Sequence, residues 1–330
     1  MDLISPDWWR RHAPGLMVAG LVALAAQFLS EHYGAPAMLM AILLGIALNF
    51  LSEEGRAAPG IGVAARGVLR LGVALLGLRI SAEMFVGLGW PLLALIVVGV
   101  GATIGVGMAV APLFRASRGF GFLTGGAVAI CGASAAMALA ALLPKGARAE
   151  RDLVFAVVGV TVLSTLAMIV YPMLAAGLGL DDRLTGVFLG ATIHDVAQVV
   201  GAGFSVSPEA GETATLVKLI RVALLAPVVL VAALVLRDGA VGADRPPLLP
   251  GFVIGFLVLA TLNSVLDLPH WLTAAAGDGS RAALLTAVAA VGMKTSVARL
   301  MQVGAAAMAL LVAETVFLAA LVLAGLWLLG

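Results

Sequence analysis

Long apolar runs, each ended by proline, glycine or a knot of charge, divide the 330-residue chain into eleven segments. They fall near 14–30, 35–51, 64–80, 89–110, 120–142, 153–176, 184–203, 213–236, 248–267, 281–301 and 305–329. Crossing the hydrocarbon core takes about 20 such residues in a helix, so each run is predicted to be a span. The fold class is therefore all-α, a polytopic membrane protein of about 11 transmembrane helices. Arg66, Arg70 and Arg79 interrupt the third run, the weakest of the set. Trp8 and Trp9 stand before Arg10 and Arg11 as an interfacial anchor ahead of the first run. That run lacks a small-x-small cleavage site, so it reads as a retained span and not as a signal peptide.

Two runs lose helical regularity where a span is expected to be most regular, 127–136 (AVAICGASAA) and 289–298 (AAVGMKTSVA). Each sets a glycine beside small polar or charged residues. Hydrocarbon offers no water to unpaired backbone groups, so broken helices persist there only beside a cavity or packed protein. Two such breaks in matching places of two halves point to a transporter binding site. Spans two to six can be laid over spans seven to eleven, with LGVALLG at 71–77 resembling IRVALLA at 220–226. The predicted organisation is one integral membrane domain over 1–330, with an extra span at 14–30, repeat one at 35–176 and repeat two at 184–329. Five spans is an odd number, so the second copy enters the membrane from the opposite side and the repeat is inverted.

Composition sharpens the class. The chain is 62% hydrophobic and 11% charged, with mean hydropathy +1.13, far from the roughly one-quarter charge of a soluble domain. A net charge of +1 without a basic block gives no sign of a nucleic-acid surface. One cysteine, Cys131, excludes a disulfide framework and a cysteine-rich metal site. No P-loop, heptad or HExxH pattern appears, so ATP drive and zinc proteolysis find no motif, and neither cofactor, metal nor catalytic residue is expected. Arginines at 10, 11, 56, 66, 115, 118 and 183 gather on one side, which places the N-terminus in the cytoplasm and the C-terminus in the periplasm; the loop 145–152 runs against the bias.

Ionisable residues inside spans cost roughly 2.5–3.5 kcal/mol each on insertion scales, yet Arg70, His194, Asp195, Lys218, Arg221, Lys294 and Glu314 all fall there. His194 and Gln198 are four apart and would share a helix face, with Asp195 turned about 100° away. His194 and Asp195 suit a proton or coupling ion, with Gln198 and Lys218 beside them; the alternative is a polar lock between helices. Arg221, three residues from Lys218, suits bidentate grip of an oxyanion, with Arg70 in the matching span. At the breaks, half-helix N-termini expose N–H groups to an anion. The expected substrate-binding set is Gly132, Ala133 and Ser134 with Cys131 as small filler, Arg221, and Gly292, Lys294, Thr295 and Ser296 from the second break.

Four segments, GGAVAICGASAAMA (125–138), GATIHDVAQVVGAG (190–203), TLVKLIRVALLAPVV (215–229) and VGMKTSVARLMQVG (291–304), together with LRLGVALLGLRIS (69–81), resemble the YeiH-like sulfate exporter family. The resemblance implies a bacterial inner-membrane protein with an inverted five-plus-five repeat and two crossed broken helices, similar to sodium–proton antiporters and bile-acid symporters. One departure is Ala305-Ala306-Ala307, where relatives usually carry a basic residue and proline. The expectation is a secondary transporter of a small anion (sulfate, sulfite or organic sulfonate), an exporter coupled to protons or cations and working as a homodimer in the lipid bilayer. An anion channel or uniporter, a cation–proton antiporter and an intramembrane enzyme are the competing readings. The antiporter lacks an extra acidic residue at the crossing, and the enzyme lacks a catalytic cluster.

Overall fold

The structure, a computed structural model, describes residues 5–53, 55–80, 82–144, 147–235, 251–266, 268–295 and 305–329. Its regular elements are all helical. In chain order they begin with α1 (Pro6–Tyr33), α2 (Ala37–Ala47), α3 (Phe50–Glu53), α4 (Ala58–Val63) and α5 (Leu69–Leu76). A π-helical turn, Ala64–Val68, joins α4 to α5. Next come α6 (Ala82–Val110), α7 (Arg118–Ala129), α8 (Ala133–Ala140), α9 (Ala147–Gly177), α10 (Asp182–Thr192) and α11 (Val196–Val206). The last are α12 (Pro208–Ala223), α13 (Leu225–Val235), α14 (Gly251–Val265), α15 (His270–Lys294) and α16 (Ala305–Leu329). Among the described residues, six helical stretches are long and apolar enough to cross a membrane. They are Pro6–Tyr33, Ala58–Arg79, Val86–Phe114, Ala149–Gly177, Pro208–Val235 and Ala305–Leu329, and shorter apolar helices accompany them. The chain is a polytopic helical membrane protein.

Local chemistry sets the helix ends. Ser5 caps α1 by accepting from the Trp8 N–H at 3.2 Å, and Gly34 closes it with φ 69°. Trp8 and Trp9 therefore lie within the first turns of α1, which begins earlier than the apolar run alone suggested. Gly89 (φ 73°, ψ 157°), followed by Pro91, kinks α6 near the predicted start of that span.

The chain divides into two compact units, each discontinuous in sequence. The first comprises Met1–Phe85, Val200–Glu212 and Gly251–Ser296. In it α15 packs against α1, α2 and α5, and α14 lies along α5. Apolar surface gains little by leaving lipid for a helix neighbour, so close backbone approach carries the packing. Ser280 Oγ of α15 donates to the Gly72 carbonyl of α5 at 2.7 Å, and Gly15 of α1 meets Gly60 of α4. The second unit comprises Val86–Val199, Thr213–Pro250 and Val297–Gly330. There α16 packs on α7, α9 and α10, and α6 approaches α7 where Gly107 meets Gly121.

Gly292 itself is helical, and the loss of helical geometry expected over 289–298 comes only at Thr295 (φ −85°, ψ 111°). Helix α15 runs without interruption from His270 through Gly292 to Lys294 and ends at Thr295, whose N–H donates to the Gly292 carbonyl at 2.9 Å. The glycine is a packing notch: a Cβ there would lie 2.5 Å from the Ile42 carbonyl and 3.0 Å from Gly45 Cα on α2. Asn49 Nδ2 and Ser52 Oγ both donate to the Met293 carbonyl at 2.7 Å, tying down the end of α15. Ser296, also expected in this break, lies outside the described residues.

Because both obstructing neighbours of Gly292 are backbone, Gly292→Ala is expected to destabilise by about 1–3 kcal/mol through overpacking. Gly20→Ala is the control, since nothing lies within 4 Å of its Cβ position. The thermal unfolding midpoint of the detergent-purified protein should fall in the first variant and hold in the second.

Candidate functional site

The chain leaves helical geometry twice inside the second unit. Between α7 and α8 the backbone turns at Ile130 (φ −111°, ψ −85°) and Gly132 (φ 65°, ψ −129°). Positive φ of this kind is open to glycine and strained for other residues. Between α10 and α11 it turns at Ile193 (φ −65°, ψ 142°), followed by His194 and Asp195. The two turns are neighbours: a Cβ on Gly132 would sit 3.6 Å from the His194 carbonyl oxygen. Within this unit the neighbour of the first break is thus the IHD segment at 193–195. Gly292, Lys294 and Thr295 belong to the other unit.

Each turn ends a helix, and a helix end leaves up to four carbonyls without partners. Two side chains of α12 supply most of them. Arg221 donates from Nε to the Ala129 carbonyl (2.8 Å) and from Nη2 to Val128 (2.8 Å). Its Nη1 donates to Gly190 and Ile193 (both 2.9 Å). Lys218 Nζ donates to Ile130 (2.6 Å) and Ile193 (2.9 Å). The remaining carbonyls of α7 accept along the chain, Gly126 from Ile130 N–H and Ala127 from Gly132 N–H. Lys218 and Arg221 therefore sit at the negative ends of two half-helices, where positive groups are favoured. Both are buried, whereas Arg70, on α5 of the other unit, is exposed.

The polar groups of the second break are also bound. Nδ1 of the buried His194 donates to the Val128 carbonyl at 3.1 Å, which leaves Nε2 to accept from Thr315 Oγ1 of α16 at 3.1 Å. His194 precedes α11, so it does not share a helix face with Gln198; the four-residue spacing fails because the break falls between them. Gln198 Nε2 donates to Thr165 Oγ1 at 2.7 Å, while its buried Oε1 accepts nothing among the described residues. Asp195 caps α11, its Oδ1 accepting from the Ala197 N–H at 2.8 Å. Ser164 Oγ of α9 accepts from the backbone N–H groups of His194 (3.2 Å) and Asp195 (3.0 Å).

The first break differs at its N-terminal end. The N-cap residue of α8, Gly132, makes no side-chain bond, and the Cys131 sulfur accepts from the Ala135 N–H of its first turn. Cys131 is buried, Ala133 half-buried, and Ser134 exposed in the first turn. The sequence reading missed Ser164, Thr165 and Thr315. The Ser164–Thr165 pair, isolated in the middle of an apolar run, was the available signal for two of them.

Known proteins are similar to this chain along most of its length. The family model described as conserved hypothetical protein 698 matches residues 14–311. The UPF0324 membrane protein TauZ of Paracoccus pantotrophus is 62% identical over 322 residues, 96% of this chain and 95% of that protein. A UPF0324 membrane protein of Rhizobium meliloti is 59% identical over 323 residues, 97% of this chain and 94% of its own length. One of Chlorobaculum tepidum is 49% identical over 319 residues, 95% of this chain and 88% of its length. No solved structure matches the chain.

Removing Arg221 takes a donor from four buried carbonyls and leaves two, Ala129 and Gly190, with none, since Val128 keeps His194 and Ile193 keeps Lys218. At about 1–3 kcal/mol for each buried group left unsatisfied, Arg221→Ala is expected to cost about 2 kcal/mol or more. Arg221→Lys, with its point charge, should recover only part of this. Thermal unfolding in detergent, with Arg70→Ala as the near-neutral control, measures both.

Proposed function

This chain belongs to the UPF0324 family of membrane proteins, and we propose that it is a secondary transporter of a small anion, a sulfate, sulfite or organic sulfonate, working as an exporter in the bacterial inner membrane. The observation that carries the reading is the asymmetry between the two breaks. The C-terminal ends of α7 and α10 are satisfied from within by Lys218 and Arg221. The N-terminal end of α11 is capped by Asp195. At the N-terminal end of α8 the cap residue Gly132 has no side chain to offer, only the Cys131 sulfur meets the Ala135 N–H, and Ser134 is exposed. Free N–H groups at the positive end of a helix favour an anion, and a broken helix inside a membrane unit is where a transporter places its substrate.

On this reading Gly132, Ala133 and Ser134 form the seat, with Cys131 as its small buried floor. Arg221 and Lys218 act through backbone: they hold both breaks open while their N–H donors are taken up by carbonyls, and His194 joins the second break to α16 in the same way. Both compact units draw helices from 35–176 and from 184–329, which supports a duplicated five-plus-five chain whose halves each contribute to both units. The arginine bias supports a cytoplasmic N-terminus.

The seat is tested by placing a fixed negative charge in it. Ser134→Asp is expected to stabilise the empty protein by about 0.3–1 kcal/mol through the helix dipole and to abolish the rise in unfolding temperature that sulfate, sulfite or taurine gives the unmodified protein. Ser134→Ala should keep most of that rise. No stabilisation of the unmodified protein by any of these anions, or equal stabilisation of Ser134→Asp, rejects the seat. In liposomes, saturable flux with counterflow identifies a carrier, and conduction that never saturates identifies a channel.

A further inference from the structure

Glu314 is the one ionisable residue of α16, fully buried among α6, α7 and α16. The sequence placed it in a span; the structure gives it a hydroxyl. Its Oε1 lies 2.7 Å from Thr124 Oγ1 of α7, and its Oε2 has no hydrogen-bond partner among the described residues. Space for the carboxyl comes from α6, where a Cβ on Gly107 would lie 2.5 Å from Oε1.

Among the described residues, the surrounding helices bring no counter-charge. Helix α6 contains no ionisable residue from Val86 to Val110. The one charged residue of α7 is Arg118, exposed at its first position, six residues from Thr124, or roughly 9 Å along the axis. In α9 the charges Arg148, Glu150, Arg151 and Asp152 crowd the first turns, and Tyr171 packs its ring on Phe188. In α10, Asp182 and Arg183 are exposed in the first turn. His194 meets α16 at the adjacent residue, Thr315.

The hydroxyl network selects the protonation state. Thr124 has one hydroxyl hydrogen, and its Oγ1 is also 3.0 Å from the Phe120 carbonyl, which can only accept. If that hydrogen goes to Phe120, the bond at 2.7 Å requires the carboxyl to be the donor. The chain Glu314 O–H to Thr124 Oγ1, then Thr124 O–H to Phe120 carbonyl, uses both hydroxyl hydrogens and leaves only Oε2 without a partner. An ionised Glu314 would claim the Thr124 hydrogen for itself and leave a buried charge with one bond, a costly arrangement.

We propose that Glu314 is a proton-binding site, holding a proton in this conformation, and that it seats the coupling proton; the second clause rests on the transporter reading. The test is infrared spectroscopy of the full chain in liposomes, titrated across pH. A protonated-carboxyl C=O band is expected at neutral pH, absent in Glu314→Gln. Thr124→Val, which leaves the glutamate in place, should keep the band and shift it to higher frequency as the hydrogen bond is lost. No Glu314-dependent band at neutral pH, or a Thr124→Val band at the unmodified position, overturns the site. Coupling is read separately: Glu314→Gln should keep anion exchange and lose flux driven by a pH gradient, and an unchanged gradient response overturns that role. A band in an unmodified protein that moves no anion rejects the transporter reading and leaves the proton site standing.

Discussion

A peptide carbonyl that runs out of helical partners inside a membrane must find a donor from the protein, and this constraint organises the second unit. Two helices stop within hydrogen-bonding reach of the same side chains, and Lys218 and Arg221 answer both ends with six hydrogen bonds to five carbonyls. A guanidinium presents several N–H donors in a fixed fork, so one residue can bridge Val128 and Ala129 of α7 to Gly190 of α10 and Ile193 at its end. A neutral amide or hydroxyl has too few donors for that. The same geometry explains why these cations tolerate burial: they meet the negative ends of two helix dipoles, with no carboxylate ion pair needed.

The N-terminal ends are handled differently, and α16 takes part. Asp195 and Ser164 bind the N–H groups at the start of α11. Thr315 reaches His194, and one residue earlier Glu314 reaches Thr124. A single helix thus touches α7 above its break and the second break itself through adjacent side chains. A displacement of α16 would strain both contacts together, which is how a local protonation could be felt at both breaks.

The apolar runs made most of the fold legible, because a span must be long, apolar and bounded by polar punctuation. The first break was legible too: Gly132 sits among Cys131, Ala133 and Ser134, a run with poor side-chain support for a helix. In the second expected break, 289–298, helical geometry ends at Thr295 and not at the glycine, for a physical reason. Glycine with small neighbours signals either a break or a close helix crossing, and at Gly292 the contact with Ile42 and Gly45 shows the latter. The break at 193–195, which the sequence did not announce, contains no glycine. Its backbone is held open by tertiary donors and acceptors, Lys218, Arg221 and Ser164, from helices distant in sequence, and no local pattern announces them. For the same reason Arg221 looked like a substrate ligand: a buried arginine in a span has the same sequence appearance whether its donors face a ligand or a carbonyl.

Bonding capacity then separates scaffold from chemistry. Arg221, Lys218 and His194 bind backbone and hydroxyl groups of the breaks, so changing their partners would undo the breaks themselves. Spare capacity lies elsewhere: the start of α8 with exposed Ser134, the Oε1 of Gln198 and the Oε2 of Glu314. A buried polar atom without a partner is costly, so Gln198 Oε1 and Glu314 Oε2 are positions where an arriving donor gains a bond without breaking one. Binding at such positions lowers free energy without first dismantling the scaffold. That is the property a carrier needs if it must take up and release its cargo while the breaks stay open.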